Sequence, residues 1–216
     1  MSKVIENGDL ILNYLDRLGI EYVFGVPGGS IEPLYNALAR SKRKGGPKAI
    51  IARHEAGAAF MADGYARATG KIGVCCSTSG PGATNLITGV ANAYADSIPL
   101  LVITAQPAIE KFGLGACQEG SCTGINTVSM FETCTRYNTL VSHSAQLENK
   151  LLQAISFTKS NRPGPVHLSI PLDIMRAKVE PKYGVQHLRA FINHEVVPSE
   201  KGLDLLLKYL SDAKKV

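Results

Sequence analysis

The sequence predicts an α/β domain: a three-layer, doubly wound sheet of about six mainly parallel strands with helices on both faces. Two observations carry this expectation. Short, continuously apolar runs recur through the first 170 residues with helix-period segments between them, the pattern of a parallel sheet buried on both sides. Glycine- or proline-bearing and polar turns follow three consecutive runs, at 25–30, 52–57 and 77–85, where such sheets bind ligands.

The elements follow in order. Leu10, Ile11, Tyr14, Leu15 and Leu18 share one face of a helix over 8–18, with Gly19 placed to end it. "EYVFGV" is the first strand. The turn "PGGS" leads to a helix on Ile31, Leu34, Tyr35 and Leu38, with Ser30 as the expected cap. "KAIIA" is the second strand and opens into a helix beginning near Arg53, His54 and Glu55. "IGVCCST" is the third strand, and "SGPGATN" starts a helix through Leu86, Val90 and Tyr94. "PLLVITA" is the fourth strand. A polar, glycine-bearing segment from Gln106 to about Thr123 interrupts the rhythm. "RYNTLV" is a fifth strand, 144–159 an amphipathic helix on Leu147, Leu151 and Ile155, and "PVHLSI" a sixth strand ended by Pro171. Residues 1–180 are read as one domain and 181–198, with Pro181, Gly184 and Pro198, as a linker. Ser199 caps a new helix on Leu203, Leu206, Leu207 and Leu210, whose apolar face wants a partner. Residues 199–216 therefore read as the first element of a second domain.

Composition excludes several classes. The 216 residues carry 23 Lys and Arg against 18 Asp and Glu, a net charge of +5 without a basic stripe, so no nucleic-acid partner is expected. No apolar run reaches the length of a bilayer span and no leader-like segment opens the chain, so no membrane partner and a cytoplasmic location are expected. Five cysteines with an adjacent pair make a poor disulfide framework. Cys75 and Cys76 read as core residues, and Cys117 with Cys122 lacks a second pair of metal ligands.

The turns do not match nucleotide loops: "GVPGGS" lacks the dinucleotide spacing, and no Gly-Lys-Ser/Thr loop is present. Glu55 is the residue that asks for an explanation. A glutamate in a first helical turn complements the helix dipole, worth ~0.3–1 kcal/mol. Its neighbours, however, are Ile51, Ala52, Gly57, Ala58, Ala59, Phe60 and Met61. A carboxylate stripped of water by such neighbours favours its neutral form, the state useful for acid–base work. Asp63, Tyr65 and Arg67 read as structural polar groups, and Arg53 and His54 as support for the turn or solvent-facing residues.

Four stretches in order, "EYVFGVPGGSIEPLYNAL", "ARHEAGAAFMADGYARATGK", "GVCCSTSGPGATNLITGVANAYADSIPLLVITAQ" and "RPGPVHLSIPLD", resemble the amino-terminal, pyrimidine-binding domain of thiamine-diphosphate-dependent enzymes, in their acetolactate synthase-like branch. The resemblance covers about residues 6–175. It implies that Glu55 is the activating glutamate, which hydrogen-bonds a pyrimidine ring nitrogen and promotes the imino form that removes the thiazolium proton. It also implies a second catalytic residue, Gln118, and a cofactor-binding set of Val26, Pro27, Gly28, Glu55, Thr78, Gly80, Pro81, Gly82 and Asn85. No metal ligand is assigned. Thiamine diphosphate would be shared with a further domain that also holds Mg2+, and the complete enzyme leaves room for FAD. The implied partners are a small 2-oxo acid, the central and diphosphate-binding domains, and copies of the chain in a homodimer or tetramer. By the same resemblance the chain alone is inactive. The residue before Gln118, commonly Phe in the family, is Cys117, and "GSCTGINTVSMF" departs from the usual pattern. A 2-oxo acid decarboxylase or acyltransferase of the same family therefore stays open, as does a catalytically inactive binding or scaffold domain of this fold.

Overall fold

The computed structural model describes residues 4–121, 124–159, 162–184, 188 and 199–213. In chain order these form β1 (Ile5–Glu6), α1 (Asn7–Arg17), β2 (Tyr22–Gly25), α2 (Glu32–Arg43), β3 (Lys48–Ile51), α3 (Glu55–Thr69), β4 (Gly73–Ser77) and α4 (Pro81–Ala95). They continue with β5 (Leu100–Gln106), α5 (Thr127–Glu132), β6 (Tyr137–Leu140), α6 (Leu147–Thr158), β7 (Val166–Pro171), α7 (Leu172–Arg176) and β8 (Lys178–Val179), and a final helix spans Glu200–Asp212. Six strands make one sheet in the order β3-β2-β4-β5-β7-β6, every pair parallel. The six-stranded parallel sheet covered on both faces is the expected fold.

Two cores sandwich the sheet. One joins Leu10, Tyr14, Leu34, Leu38, Leu151 and Ile155 of α1, α2 and α6 to Val23, Cys76, Ile103 and Leu168. The other joins Ala58, Ala62, Leu86, Val90 and Phe131 of α3, α4 and α5 to Phe24, Cys75 and Val102. The adjacent cysteines thus point to opposite cores, as period-two alternation along a strand requires. Each fully buried leucine contributes ~1.5–3 kcal/mol relative to exposure.

Crossovers place the helices. The β2–α2–β3 unit covers one face and the β4–α4–β5 unit the other, so the chain diverges from neighbouring strands β2 and β4. The crevice beyond their carboxyl ends is the topological switch point.

Helix ends follow local rules. Gly19 and Gly70 take left-handed backbone (both φ 69°) after α1 and α3. His54 caps α3, its Nδ1 accepting from the Ala56 N–H at 3.1 Å. Ser199 caps the final helix through the Gly202 N–H at 3.1 Å. Ser30 does not cap α2: a 3-10 turn over Gly29–Ile31 intervenes, and α2 starts at Glu32 with Pro33 in its first turn. A short turn tightens the entry, and the Ser30 hydroxyl faces Ser79 at 3.3 Å instead. The sequence reading also lacked α5, α7 and the antiparallel β1–β8 ribbon. These are pieces too short to show periodicity. The expected linker falls largely outside the described residues. Where it is described, Glu148, 3% exposed, accepts from the Tyr14 hydroxyl at 2.7 Å and from the Lys182 N–H at 2.6 Å, tying that exit to α6 and α1. The final helix exposes Leu203, Leu206, Leu207 and Leu210. Among the described residues no helix is long and apolar enough to cross a membrane.

His167 on β7 is fully buried, stacked on Phe131 with ring centroids 4.1 Å apart. Its Nδ1 lies 2.6 Å from Asn138 Oδ1 and its Nε2 2.8 Å from Thr104 Oγ1. A carbonyl oxygen can only accept, so Nδ1 carries the proton and Thr104 donates to Nε2. Burial pushes the His167 pKa down to about 3. The unfolded chain takes up this proton near pH 6.5 and the folded chain does not, so its contribution is complete above ~6.5 and lost as pH falls towards 3. The expected loss is ~1.4 kcal/mol per pH unit between pH 6 and 4. Urea midpoints at pH 7, 6 and 5 check this. His167→Gln, less stable at pH 7, is expected to lose less over that range, and equal slopes in both proteins would refute the assignment.

Candidate functional site

The site is built where β2, β3, β4 and β5 release their chains. After β2, Gly25 runs into Val26, Pro27 and Gly28. A Cβ on Gly28 would lie 2.6 Å from Thr78 Cβ, so the two turns meet across the switch point with no room for a side chain. Gly28 is extended (φ −169°), and its need is for space rather than for an unusual backbone. A Cβ on Gly25 would meet Cys76 O at 2.5 Å and the Tyr35 hydroxyl at 2.7 Å.

After β3, the chain turns at Arg53 and His54 and starts α3 with Glu55. Both preceding side chains are exposed, and His54 supports the turn as the cap. Glu55 is half-buried, not enclosed: Ala58, Ala59, Ala62 and Ala66 of the same helix bury the face turned to α4, while Phe60 and Gly64 lie outside. The apolar neighbours that sequence reading set around the carboxyl are partly those of the opposite helix face. Asp63 and Arg67 are structural, paired at 2.9 Å, and Arg67 reaches Asp96 at 2.6 Å.

After β4 comes Thr78, then buried Ser79 and Gly80, with Pro81 opening α4. Gly80 has φ 57°, a conformation that favours glycine. Asn85, one turn into α4, donates from Nδ2 to Glu55 Oε2 at 3.0 Å. A Cβ on Gly82 would stand 3.3 Å from Glu55 Oε1 and 2.9 Å from Thr78 Cγ2. Glu55, Asn85, Gly82, Thr78 and Gly28 are therefore one contiguous group, drawn from three turns that are distant in sequence. Gln118 joins through its backbone: a Cβ on Gly80 would be 2.7 Å from Gln118 O. Its side chain is exposed.

Three residues behind these turns, Tyr35, Cys76 and Gln106, lie outside the set that the sequence put forward for the site. Tyr35 lies behind the crevice, its hydroxyl 3.7 Å from Cys76 Sγ. Burial first, then Cys76 and Glu55, push the Tyr35 phenol well above its ordinary range, so it stays neutral. Burial likewise pushes the Cys76 thiol up to about 12, against a lowering by the Tyr35 hydroxyl, and it is no nucleophile at neutral pH. Tyr35 read as one apolar position in a helical stripe, and no local signal separates it from a core tyrosine. Cys122 lies outside the described residues, and among them no cluster of three His, Cys, Asp or Glu side chains could hold a metal ion.

The fold and the converging turns define a class: a doubly wound α/β domain with a carboxylate and close-approach glycines at its switch point. The chain belongs to the thiamine pyrophosphate enzyme family, as its N-terminal TPP binding domain, whose model matches residues 5–129. Relatives agree. The chain is 46% identical over 167 residues to the acetolactate synthase isozyme 2 large subunit of Escherichia coli K12, covering 77% of this chain and 29% of that protein. It is 43% identical over 170 residues to an acetolactate synthase of Arthrospira platensis, covering 79% of this chain and 28% of that protein. It is 39% identical over 223 residues to the acetolactate synthase large subunit of Lactococcus lactis, covering all of this chain and 36% of that protein. The chain thus spans about a third of the length of these relatives.

Proposed function

We propose that this chain supplies the aminopyrimidine side of a thiamine diphosphate site in an acetolactate synthase-like enzyme acting on 2-oxo acids, with Glu55 as the activating group. The observation that carries the reading is the Glu55–Asn85 contact at the switch point, with Gly82 and Gly28 letting the flanking turns close on Glu55 and Thr78. These residues fit the cofactor by the chemistry of the group: the half-buried carboxyl, held by Asn85 at the switch point, can share a proton with a weakly basic ring nitrogen. When bound, thiamine diphosphate supplies the carbanion chemistry.

The chain's own residues do the rest. Asn85 fixes Glu55 Oε2 by its amide N–H. Oε1 then stands on the Gly82 side, where the carboxyl holds or gives up its proton. Val26, Pro27 and Gly28 form one wall, and Thr78, Gly80 and Pro81 the other. Gln118 stands at the mouth, on the substrate side. The diphosphate and its Mg2+ are assigned to residues outside this chain, so the chain alone is expected to bind weakly and to be inactive. The domain is set at 1–180 with a linker to 198, and the exposed leucine face of the final helix suits a first element of the next domain. Dimer or tetramer formation and FAD in the complete enzyme accompany this reading.

The test is a titration of the isotope-labelled chain with thiamine diphosphate, followed by amide NMR. Shifts are expected at the amides of Val26, Gly28, Glu55, Gly80 and Gly82–Asn85, with weak overall affinity. Perturbations confined to another surface would overturn the reading. Tight binding measured by calorimetry would overturn the claim that the diphosphate is held elsewhere.

A further inference from the structure

The segment after β5 is the part of the site that the sheet does not dictate. Most of residues 112–119 are exposed. Gln118 has a left-handed backbone (φ 57°), as the third residue of a turn closed by the Glu119 N–H on Ala116 O at 3.2 Å. Two contacts hold that turn against the rest of the domain. One is Gly80, against whose bare Cα the Gln118 carbonyl packs. The other starts at Gln106, the last residue of β5, which is 1% exposed. Its Nε2 donates to Gly120 O and to Thr127 Oγ1, both at 3.0 Å, and its Oε1 accepts from the Gly120 N–H at 3.0 Å. The amide thereby satisfies both backbone polar groups of a single residue, as a neighbouring strand would, and fixes that residue in position and orientation. Thr127 completes the knot, donating to the same Gly120 oxygen from its N–H at 3.1 Å and its hydroxyl at 3.0 Å. A Cβ on Gly120 would lie 2.7 Å from Thr127 Cγ2, so nothing larger than glycine fits.

We propose that Gln106 is a positioning residue that, through Gly120, sets where Gln118 stands at the mouth of the site and so governs use of the 2-oxo acid without touching it. The inference rests on the reading of Gln118 as a substrate-facing residue. Of the three hydrogen bonds that the Gln106 side chain makes, two go to Gly120, two residues from Gln118, and the third goes to Thr127, which itself donates to the Gly120 oxygen.

The experiment uses the full-length gene product carrying residues 1–216, loaded with thiamine diphosphate, with pyruvate as the 2-oxo acid. Gln106→Met keeps length and removes all three bonds, and Gln106→Glu keeps only the acceptor. Hydrogen exchange at the Gly120 amide is expected to quicken at least tenfold in Gln106→Met, with the Val102 amide unchanged. The kcat/KM for pyruvate is expected to fall about tenfold in Gln106→Met and at least as far in Gln106→Glu, whose second buried oxygen would face the Gly120 carbonyl, while thiazolium proton exchange stays within twofold. The double variant Gln106→Met, Gln118→Ala is expected to be no worse than Gln118→Ala alone, since both act through one group. Losses that multiply, or an unchanged kcat/KM in Gln106→Met, overturn the positioning role while leaving the Gln118 reading intact. A Gln118→Ala variant with unchanged kcat/KM overturns that reading and this proposal together. If Gln106→Met does not fold, Gln106→Glu carries the same cycle.

Discussion

Glu55→Gln in the full-length gene product is expected to slow thiazolium proton exchange on bound thiamine diphosphate by about 10²–10⁴-fold, the range that a positioned acid–base group supplies. Glutamine matches the size of glutamate and its carbonyl can still accept from Asn85 Nδ2, so the 3.0 Å contact can persist. What it lacks is an exchangeable acid proton at the oxygen facing Gly82. Stability should hardly move. Glu55 lies in the first turn of α3, where losing its charge costs ~0.3–1 kcal/mol, and the helix keeps its His54 cap. Chemistry and stability therefore separate cleanly in one variant. Exchange within a few-fold of wild type would show that Glu55 is a helix-dipole partner and nothing more. Asn85→Ala is the companion variant: it frees Oε2 without removing the acid, so its loss should be smaller.

The frame was legible because its signals are local. Six apolar runs became six strands, and the adjacent Cys75 and Cys76 were already readable as core residues, although not as belonging to two different cores. The grouping of Glu55 with Gly82, Asn85, Gly28 and Thr78 needed the resemblance, because parallel pairing brings together residues far apart in sequence. Ser30 was misread as a cap: the rule for caps holds for α-helix starts, and the intervening 3-10 turn shifts the start to Glu32. Gln106 could not be found from sequence at all. A glutamine after an apolar run reads as the first residue of a loop, and only the fold shows its amide engaged with Gly120.

Gly73→Ala is expected to destabilise the chain by about 2–3 kcal/mol, lowering its Tm by roughly 5–10 °C. A Cβ at 73 would lie 2.1 Å from Ala62 O and 2.7 Å from Leu100 Cδ2. The first of these is helix backbone, which no rotamer change can move aside, so α3 must retreat from β4. The same closeness recurs between helices, where a Cβ on Gly89 of α4 would stand 2.6 Å from Ala59 Cβ. Gly64 on α3 is the control: it is exposed, and a Cβ there would meet nothing within 4 Å. Gly64→Ala gains helix propensity without a clash and should add ~0.5–1 kcal/mol, raising Tm by a few degrees. Thermal melts of the two variants must therefore move in opposite directions. Because α3 carries Glu55 at its start and α4 carries Asn85, retreat of α3 also strains the contact between them. Gly73→Ala should then weaken thiamine diphosphate binding even at temperatures where the chain remains folded, and Gly64→Ala should not. Equal binding by both would show that packing under α3 and the geometry of the site are independent.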